Sequence, residues 1–110
     1  MNLLAAEFTH QDHRRKLSQL FTADIKQVNQ YEAKRGAILG DHFHKETNEY
    51  FFIYKGTILY NEERILNKGS IFVIYPQEHH KIECLTDVGL ITFLTKPYDK
   101  ESPDLWPRKP

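Results

Sequence analysis

The segment Gly36–Gly56, GAILGDHFHKETNEYFFIYKG, contains the residues that decide the fold and the site of this chain. His42 and His44 lie two residues apart, and residues with that spacing on a β-strand project from the same face, so both imidazoles can reach one point. Glu49 follows a polar turn at which the chain can double back, so a carboxylate can return to the same point. Imidazole and carboxylate groups that converge in this way are typical ligands of a metal ion.

The strand that begins at Glu49 has a strong pattern of its own. Glu49, Phe51 and Ile53 share one face, and Tyr50 lies on the other. A carboxylate at the end of a buried apolar run needs a partner, because burying it alone costs several kcal/mol or forces it to take up a proton. A bound metal ion would supply that partner.

A second pair of histidines, His79 and His80, follows later in the chain. On a strand, His80 shares its face with Ile82 and Cys84, whereas His79 lies on the polar face. We therefore expect His80 to point into the protein and His79 to face solvent.

Strand signals continue from this segment in both directions. Short β-branched and aromatic runs separated by turn residues, with no convincing amphipathic helix after residue 36, indicate an antiparallel all-β sandwich or barrel. The predicted strands and apolar strand pairs are 25–30, 49–54, 57–60, 65–66, 70–75 and 88–95. Because 70–75 is apolar on both faces and small jelly-roll barrels have exposed edge strands, we expect a homodimer that covers this strand by pairing edges or by stacking sheets.

The spacing of these residues resembles the cupin superfamily, whose first motif is G-x5-H-x-H-x3,4-E-x6-G. All of its fixed positions are present, at Gly36, His42, His44, Glu49 and Gly56. The second motif, G-x5-P-x-G-x2-H-x3-N, is matched at two positions, Gly69 and His80. Its proline, glycine and asparagine are replaced by Tyr75, Gln77 and Cys84.

The resemblance implies a small, single-domain, RmlC-like double-stranded β-helix, that is, an all-β jelly-roll or cupin barrel. It also implies that one divalent metal ion is coordinated by four side chains, His42, His44, Glu49 and His80. Three neutral imidazoles and one carboxylate leave a net charge of about +1 on such an ion and suit Fe, Mn, Ni, Co or Zn. No other cofactor is implied.

A weaker resemblance to the cupins that epimerise or isomerise deoxysugar nucleotides narrows the function. It rests on four short stretches, namely DHR at 12–14, LF at 20–21, DIKQV at 24–28 and GDHFHK at 40–45. In that branch a histidine of the H-x-H pair serves as acid or base, often without a metal. Glu49 departs from that pattern and indicates a metal site. The candidate catalytic residues are His42, His44 and Tyr50.

We therefore expect a metal-dependent isomerase or epimerase that acts on a sugar or nucleotide-linked sugar by enolisation next to a carbonyl. Two alternatives stay open, namely a cupin dioxygenase and a non-catalytic module that binds or senses a metabolite. A metal held in an open barrel would favour a small, oxygen-bearing ligand. The surrounding residues expected from strand parity are Phe51, Ile82 and Cys84. The weaker candidates are Tyr50, Tyr54, Tyr60 and Tyr75.

Composition limits the class of protein. The 110 residues include 15 Lys and Arg and 15 Asp and Glu, so the formal net charge is zero. Nucleic acids and membrane surfaces are therefore not expected partners, since both attract a basic excess. Cys84 is the single cysteine, which excludes an intrachain disulfide and suits the cytoplasm. His10 and His13 are interpreted as solvated.

The chain is divided into an N-terminal extension (1–13), a cupin barrel (14–95) and a proline-rich tail (96–110). Proline removes a backbone donor, so the tail cannot continue the interior of a sheet. Trp106 either docks on the barrel, docks on a second subunit, or lies free in a partly ordered tail.

Overall fold

Residues 1–107, which the computed structural model describes, form eleven strands and no helix. The strands are β1 (Asn2–Leu4), β2 (Phe8–Gln11), β3 (Lys16–Gln19), β4 (Gln27–Ala33), β5 (Ile38–His42), β6 (Glu49–Lys55), β7 (Thr57–Tyr60), β8 (Arg64–Asn67), β9 (Ile71–Ile74), β10 (His80–Cys84) and β11 (Val88–Leu94). The predicted all-β class is confirmed.

Two antiparallel sheets enclose the core. The larger has the strand order β1-β9-β6-β11-β4, the smaller has the order β5-β10-β7-β8, and β2 and β3 form a separate hairpin. Alternate residues of the central strands point between the sheets, where they exclude water and stabilise the fold. The core consists of Phe51, Ile53, Ile58, Tyr60, Leu66, Phe72, Ile74, Ile82, Cys84, Val88 and Leu90.

Strand β6 follows the alternation that its sequence predicts. Glu49, Phe51 and Ile53 are buried, whereas Tyr50 lies on the opposite face and stacks on Phe21 with 4.5 Å between the ring centroids. The carboxylate of Glu49 therefore enters the space between the two sheets.

The position of strand β9 corrects the expectation that the segment 70–75 has an exposed edge. All four of its residues are buried, as its apolar sequence predicts, but it lies inside the larger sheet between β1 and β6. Both of its edges are paired within the chain, so a second copy is not needed to cover them. Its partner β1 lies within 1–13, the range predicted to be an extension.

A tight turn at Gly56 connects β6 to β7, the strand that crosses into the smaller sheet. Gly56 has φ of +85°, a conformation that residues with a Cβ rarely adopt. A Cβ at this position would also overlap the carbonyl oxygen of Asp87. Both reasons explain why a glycine is required here.

The C-terminal segment folds back onto the barrel. The amides of Phe43 and Trp106 donate to each other's carbonyl oxygens at 2.9 and 3.0 Å, so Trp106 docks on the barrel rather than lying free. The last three residues of the predicted tail, 108–110, lie outside the described residues. Within the described part, no helix is long and apolar enough to cross a membrane.

Candidate metal centre

Four side chains predicted to be metal ligands converge at one end of the space between the sheets. One ligand atom from each of His42, His44, Glu49 and His80 lies within 4.8 Å of the others. His42 ends β5, His80 begins β10 and Glu49 begins β6, so both sheets contribute. His44 lies in the connection between β5 and β6.

The pairing of β5 with β10 brings two of the imidazoles together. His42 is the cross-strand partner of His80, and the ladder shifts register immediately after His80. The ring centroids are 4.5 Å apart for His42 and His80, 5.0 Å for His42 and His44, and 5.1 Å for His44 and His80.

Gly40 lets these rings approach the backbone of β5. It has φ of +83°, and a Cβ there would lie 3.2 Å from Cδ2 of His80 and 3.6 Å from Cε1 of His42. Asp41 also has a positive φ, of 91°, and its carboxylate lies 2.8 Å from Nε2 of His79. His79 is therefore held outside the cluster, while His80 is 1% exposed and lies inside it.

The carboxylate of Glu49 faces two of the imidazoles. Its Oε1 lies 3.1 Å from Nε2 of His44 and 3.5 Å from Nε2 of His80. Glu49 is buried, so these rings replace the water that would otherwise solvate its charge.

The second ring nitrogen of His44 contacts the C-terminal segment. Nδ1 of His44 lies 2.6 Å from the carbonyl oxygen of Asp104, which can only accept a hydrogen bond. Nδ1 therefore carries a proton, and Nε2 is the atom directed at the cluster. A histidine that binds a metal typically donates its other N–H in this way. Sequence reasoning missed Asp104, because it lies 60 residues from His44 in a tail without a strand pattern.

Burial and mutual repulsion keep two of the imidazoles neutral. Burial, together with the neighbouring His42 and His44, lowers the pKa of His80 to about 3. Burial and the nearby His44 also lower the pKa of His42. Burial also acts to lower the pKa of His44. The hydrogen bonds of His44 to Glu49 and to the Asp104 carbonyl outweigh burial, so the pKa of His44 is raised. Neutral imidazoles are the form that binds metals.

The donor set fits a divalent transition-metal ion, since three imidazole nitrogens and one carboxylate oxygen are borderline ligands suited to such ions. His42, His44, Glu49 and His80 would hold it. Metal binding itself stays a prediction.

A cavity of about 600 Å³ opens onto this cluster, within the size range of small-molecule sites. One wall is formed by β4, where the lining side chains are mainly polar. The C-terminal segment forms another wall. The walls comprise Gln27, Asn29, Gln30, Tyr31, His42, His44, Thr47, Glu49, Leu94, Lys96, Pro97, Tyr98, Asp104 and Leu105.

A smaller cavity of about 190 Å³ is also lined by His42 and Glu49. Phe51 and Ile82, both expected near the site, line it. Tyr31 lines both cavities, and burial and the charge of Glu49 raise the pKa of its hydroxyl. Sequence reasoning missed Tyr31, because it lies on β4 with no motif around it.

Other candidate residues lie away from the cluster. Tyr50, a candidate catalytic residue, is on the opposite face of β6, so its hydroxyl does not reach the cavity. Cys84 is packed in the core, and Tyr60 donates to the carboxylate of Glu78. His10 is exposed on the β2–β3 hairpin.

Comparisons with known proteins agree on the fold. No family model matches the chain, and no curated protein is significantly similar in sequence. Among solved structures, the capsular polysaccharide assembling protein CapF from Staphylococcus aureus is 25% identical with a TM-score of 0.65, over 97% of this chain and 32% of CapF. The chain therefore spans about a third of the length of CapF.

Two further solved structures match over most of this chain. QdtA, a sugar 3,4-ketoisomerase from Thermoanaerobacterium thermosaccharolyticum solved in complex with TDP, has a TM-score of 0.73 and 18% identity over 94% of this chain and 85% of QdtA. ChmJ, a 3'-monoepimerase from Streptomyces bikiniensis solved with dTDP-quinovose, has a TM-score of 0.70 and 17% identity over 91% of this chain and 65% of ChmJ. The predicted cupin jelly-roll fold is confirmed.

Proposed function

We propose that this chain is a metal-dependent cupin that isomerises or epimerises a keto-sugar carried by a nucleotide. The observation that carries the proposal is the convergence of His42, His44, Glu49 and His80 within 4.8 Å at the inner end of an open cavity. The buried His44, Glu49 and His80 and the half-buried His42 have no evident packing role, whereas together they form a complete ligand set.

The class of substrate is supported by the cavity and by the proteins of similar fold. The amide side chains of Gln27 and Asn29 line the wall formed by β4, and Lys96 and Tyr98 lie at the C-terminal side. Amides, a cation and an aromatic ring suit the hydroxyls, phosphates and base of a sugar nucleotide. QdtA was solved with TDP and ChmJ with dTDP-quinovose.

The proposed reaction moves a proton and needs no redox partner. A proton leaves the carbon next to a carbonyl, and an enol or enolate forms. Return of the proton to the opposite face of the same carbon gives the epimer. Return of the proton to the former carbonyl carbon, with the hydroxyl proton moving from the neighbouring oxygen to the former carbonyl oxygen, gives the ketoisomer. A divalent ion, when bound, supplies a Lewis acid that lowers the energy of the negative charge on oxygen.

The residues of the chain would position the substrate and handle the proton. Tyr31 lines the cavity next to Glu49, and its hydroxyl is protonated near neutral pH, as that of any tyrosine is, so it can donate a proton but not remove one. The walls of the cavity would limit the access of water to the enolate.

A metal-free version of the same chemistry has one specific observation in its favour. Nε2 of His44 lies 3.1 Å from Oε1 of Glu49, and its Nδ1 faces the carbonyl of Asp104. A histidine paired with a carboxylate is an effective acid or base. In this version the carboxylate stabilises the charged imidazole, and no ion is required.

The proposal is tested with the protein and TDP-4-keto-6-deoxyglucose, the ligand of one QdtA structure, in deuterium oxide. We expect exchange of the hydrogen next to the carbonyl, seen by NMR, with loss of exchange in metal-stripped protein and recovery when Zn(II), Mn(II) or Co(II) is returned. Full exchange by the stripped protein would instead support the metal-free version, in which no ion is required.

Other outcomes identify the alternatives. Uptake of oxygen with loss of exchange would identify a dioxygenase. Tight binding of the sugar nucleotide without exchange would identify a sensing module. Absence of both binding and exchange with every sugar nucleotide of a panel would contradict the proposed substrate class.

We also propose that the chain forms a homodimer, in view of the β2–β3 hairpin. Phe8 and Leu17 share one face of the hairpin and are 56% and 47% exposed. A second copy would cover these apolar side chains. A cytoplasmic location stays a prediction from the single, buried Cys84.

A further inference from the structure

The C-terminal segment contacts a predicted metal ligand without belonging to the ligand set. The carbonyl oxygen of Asp104 lies 2.6 Å from Nδ1 of His44, while Nε2 of His44 faces Glu49. One ring nitrogen is thus fixed by the tail, and the other is directed at the cluster. Which nitrogen faces the cluster follows from the position of that carbonyl.

The side chain of Asp104 holds this carbonyl in place. Its carboxylate accepts hydrogen bonds from the backbone amides of Lys45, Glu46 and Thr47 at 2.8 to 2.9 Å, and from the Thr47 hydroxyl at 2.8 Å. Partial burial acts to raise the pKa of Asp104, but these bonds outweigh it and hold the pKa well below its usual range. These hydrogen bonds tie the carboxylate of Asp104 to the loop that carries His44.

Trp106 attaches the same segment on the other side of His44. Its backbone exchanges two hydrogen bonds with Phe43, its indole N–H donates to the Asp104 carboxylate at 3.0 Å, and Nζ of Lys45 lies 3.7 Å from the ring centroid. The residues on both sides of His44 are therefore fixed by residues 104–106.

The loop that carries His44 depends on these contacts. Strand β5 ends at His42 and β6 begins at Glu49, so residues 43–48 lie outside the named strands. In this loop, the backbone hydrogen bonds between Phe43 and Trp106 take the place of strand pairing. The hydrogen bonds from the amides of residues 45–47 to the Asp104 carboxylate do the same. Glu49 of β6 faces Nε2 of His44, and the amide of Gln77 donates to the His44 carbonyl oxygen at 2.6 Å, but it is the carbonyl oxygen of Asp104 that contacts Nδ1 of the ring.

We propose that residues 104–106 are a strap that positions His44 as a metal ligand, with Asp104 as the positioning residue. This inference rests on the proposed metal site. The strap also contributes Asp104 and the neighbouring Leu105 to the wall of the larger cavity. Docking of the tail and binding of the ion are therefore coupled, because each requires the same orientation of His44.

The test is a titration with Co(II), followed by its d–d absorption, in the full chain and in Asp104→Ala. We expect the Kd for Co(II) to rise by about 10- to 100-fold, the usual effect of removing the support of a ligand. The d–d bands of the bound ion should also shift, because the ligand geometry changes. Glu101→Ala, an exposed acidic residue of the same tail, is the matched control and should keep the affinity and spectrum of the wild type.

The outcomes separate this inference from the proposed function. A wild type that binds Co(II) while Asp104→Ala binds it with the same affinity and spectrum overturns the strap alone, even if the variant melts at a lower temperature. A lower affinity with an unchanged spectrum also overturns it, since loss of negative charge would explain that result. A wild type that binds no Co(II) overturns the proposed metal site, and the strap with it.

A milder variant covers the case in which Asp104→Ala does not fold. Thr47→Val removes one of the five hydrogen bonds that the Asp104 carboxylate accepts and keeps the shape of the buried side chain. We expect it to raise the Kd for Co(II) severalfold and to shift the bands in the same direction. A wild-type Kd and spectrum would overturn the strap.

Discussion

At the scale of single residues, adjacent histidines have opposite environments. His80 is buried beside His42, whereas the ring of His79 pairs with the carboxylate of Asp41 outside the cluster. The direction of the side chain on β10, rather than the type of residue, thus decides which histidine reaches the site.

We predict that His80→Ala weakens metal binding far more than His79→Ala does. Loss of a direct ligand should raise the Kd by more than about 100-fold, the upper end for loss of a supporting residue. His79→Ala should change it by less than about fivefold, because an exposed ion pair contributes about 0–1 kcal/mol. Calorimetric titration with Zn(II) measures both, and equal losses would show that His80 is not a ligand.

His44 also makes metal binding dependent on pH. Its pKa is raised, so its imidazole holds a proton in the metal-free protein until the pH exceeds that raised value, and an ion must displace this proton. His80, with a pKa of about 3, carries no such proton near neutral pH. Affinity should therefore fall as the pH is lowered.

We predict that Zn(II) binding releases more protons at about pH 6 than at about pH 8, because a larger fraction of the His44 imidazole is protonated at the lower pH. Titrations in two buffers with different ionisation enthalpies measure the number released. An equal number at both pH values would mean that His44 is not displaced from a protonated state by the ion.

At the scale of elements, the connection from β6 to β7 depends on Gly56. Both Gly56 and Gly36 have a positive φ, but only at Gly56 would a Cβ meet other atoms, whereas nothing lies within 4 Å of one at Gly36. The two positions therefore separate the backbone cost from the steric cost.

We predict that Gly36→Ala lowers the free energy of unfolding by about 1 kcal/mol, the cost of a left-handed conformation for a residue with a Cβ. Gly56→Ala should lower it by about 3 kcal/mol, because the turn must also move away from Asp87. Urea unfolding of the two variants and the wild type measures the difference. Equal losses would mean that the turn relaxes without cost.

The sequence predicted those elements that have an apolar pattern. Strands β6, β7, β9 and β11 were found at or within one residue of their bounds, because alternation or a continuous apolar run is directly visible. The hairpin β2–β3 was not found, since all but one of its strand residues are exposed and burial imposes no pattern on them. Strand β1 is three residues long, too short for a period to be detected.

The candidate site was predictable to the same extent. The grouping of His42, His44, Glu49 and His80 followed from spacing within two short segments. Asp104 and Tyr31 were not predictable, because their contacts with the site depend on how the tail and β4 are placed by the fold, and neither has a local pattern that reports this.

At the scale of the whole molecule, the candidate ligands join the two sheets. Those from β5 and β10 belong to the smaller sheet, and Glu49 belongs to the larger. An ion held by all four would stabilise the folded chain by binding to it and not to the unfolded chain. Metal binding and the packing of the sheets would thus support each other.

We predict that the chain sediments at twice the mass of one copy, because a dimer would cover the apolar face of the β2–β3 hairpin. Replacing both Phe8 and Leu17 by serine should yield a folded monomer, as both residues are exposed within one chain. Analytical ultracentrifugation measures this. A wild type that stays monomeric at all accessible concentrations would contradict the prediction, and an unaffected dimer would show that it uses another surface.

The central claim is that His42, His44, Glu49 and His80 hold one divalent ion. The metal content of the purified protein tests this claim most directly. The protein is stripped with a chelator, reloaded with Zn(II), dialysed and subjected to elemental analysis, together with a variant carrying both His42→Ala and His44→Ala. We predict one ion per chain in the wild type and none retained by the variant. A wild type that retains no ion, or a variant that retains as much as the wild type, would contradict the claim.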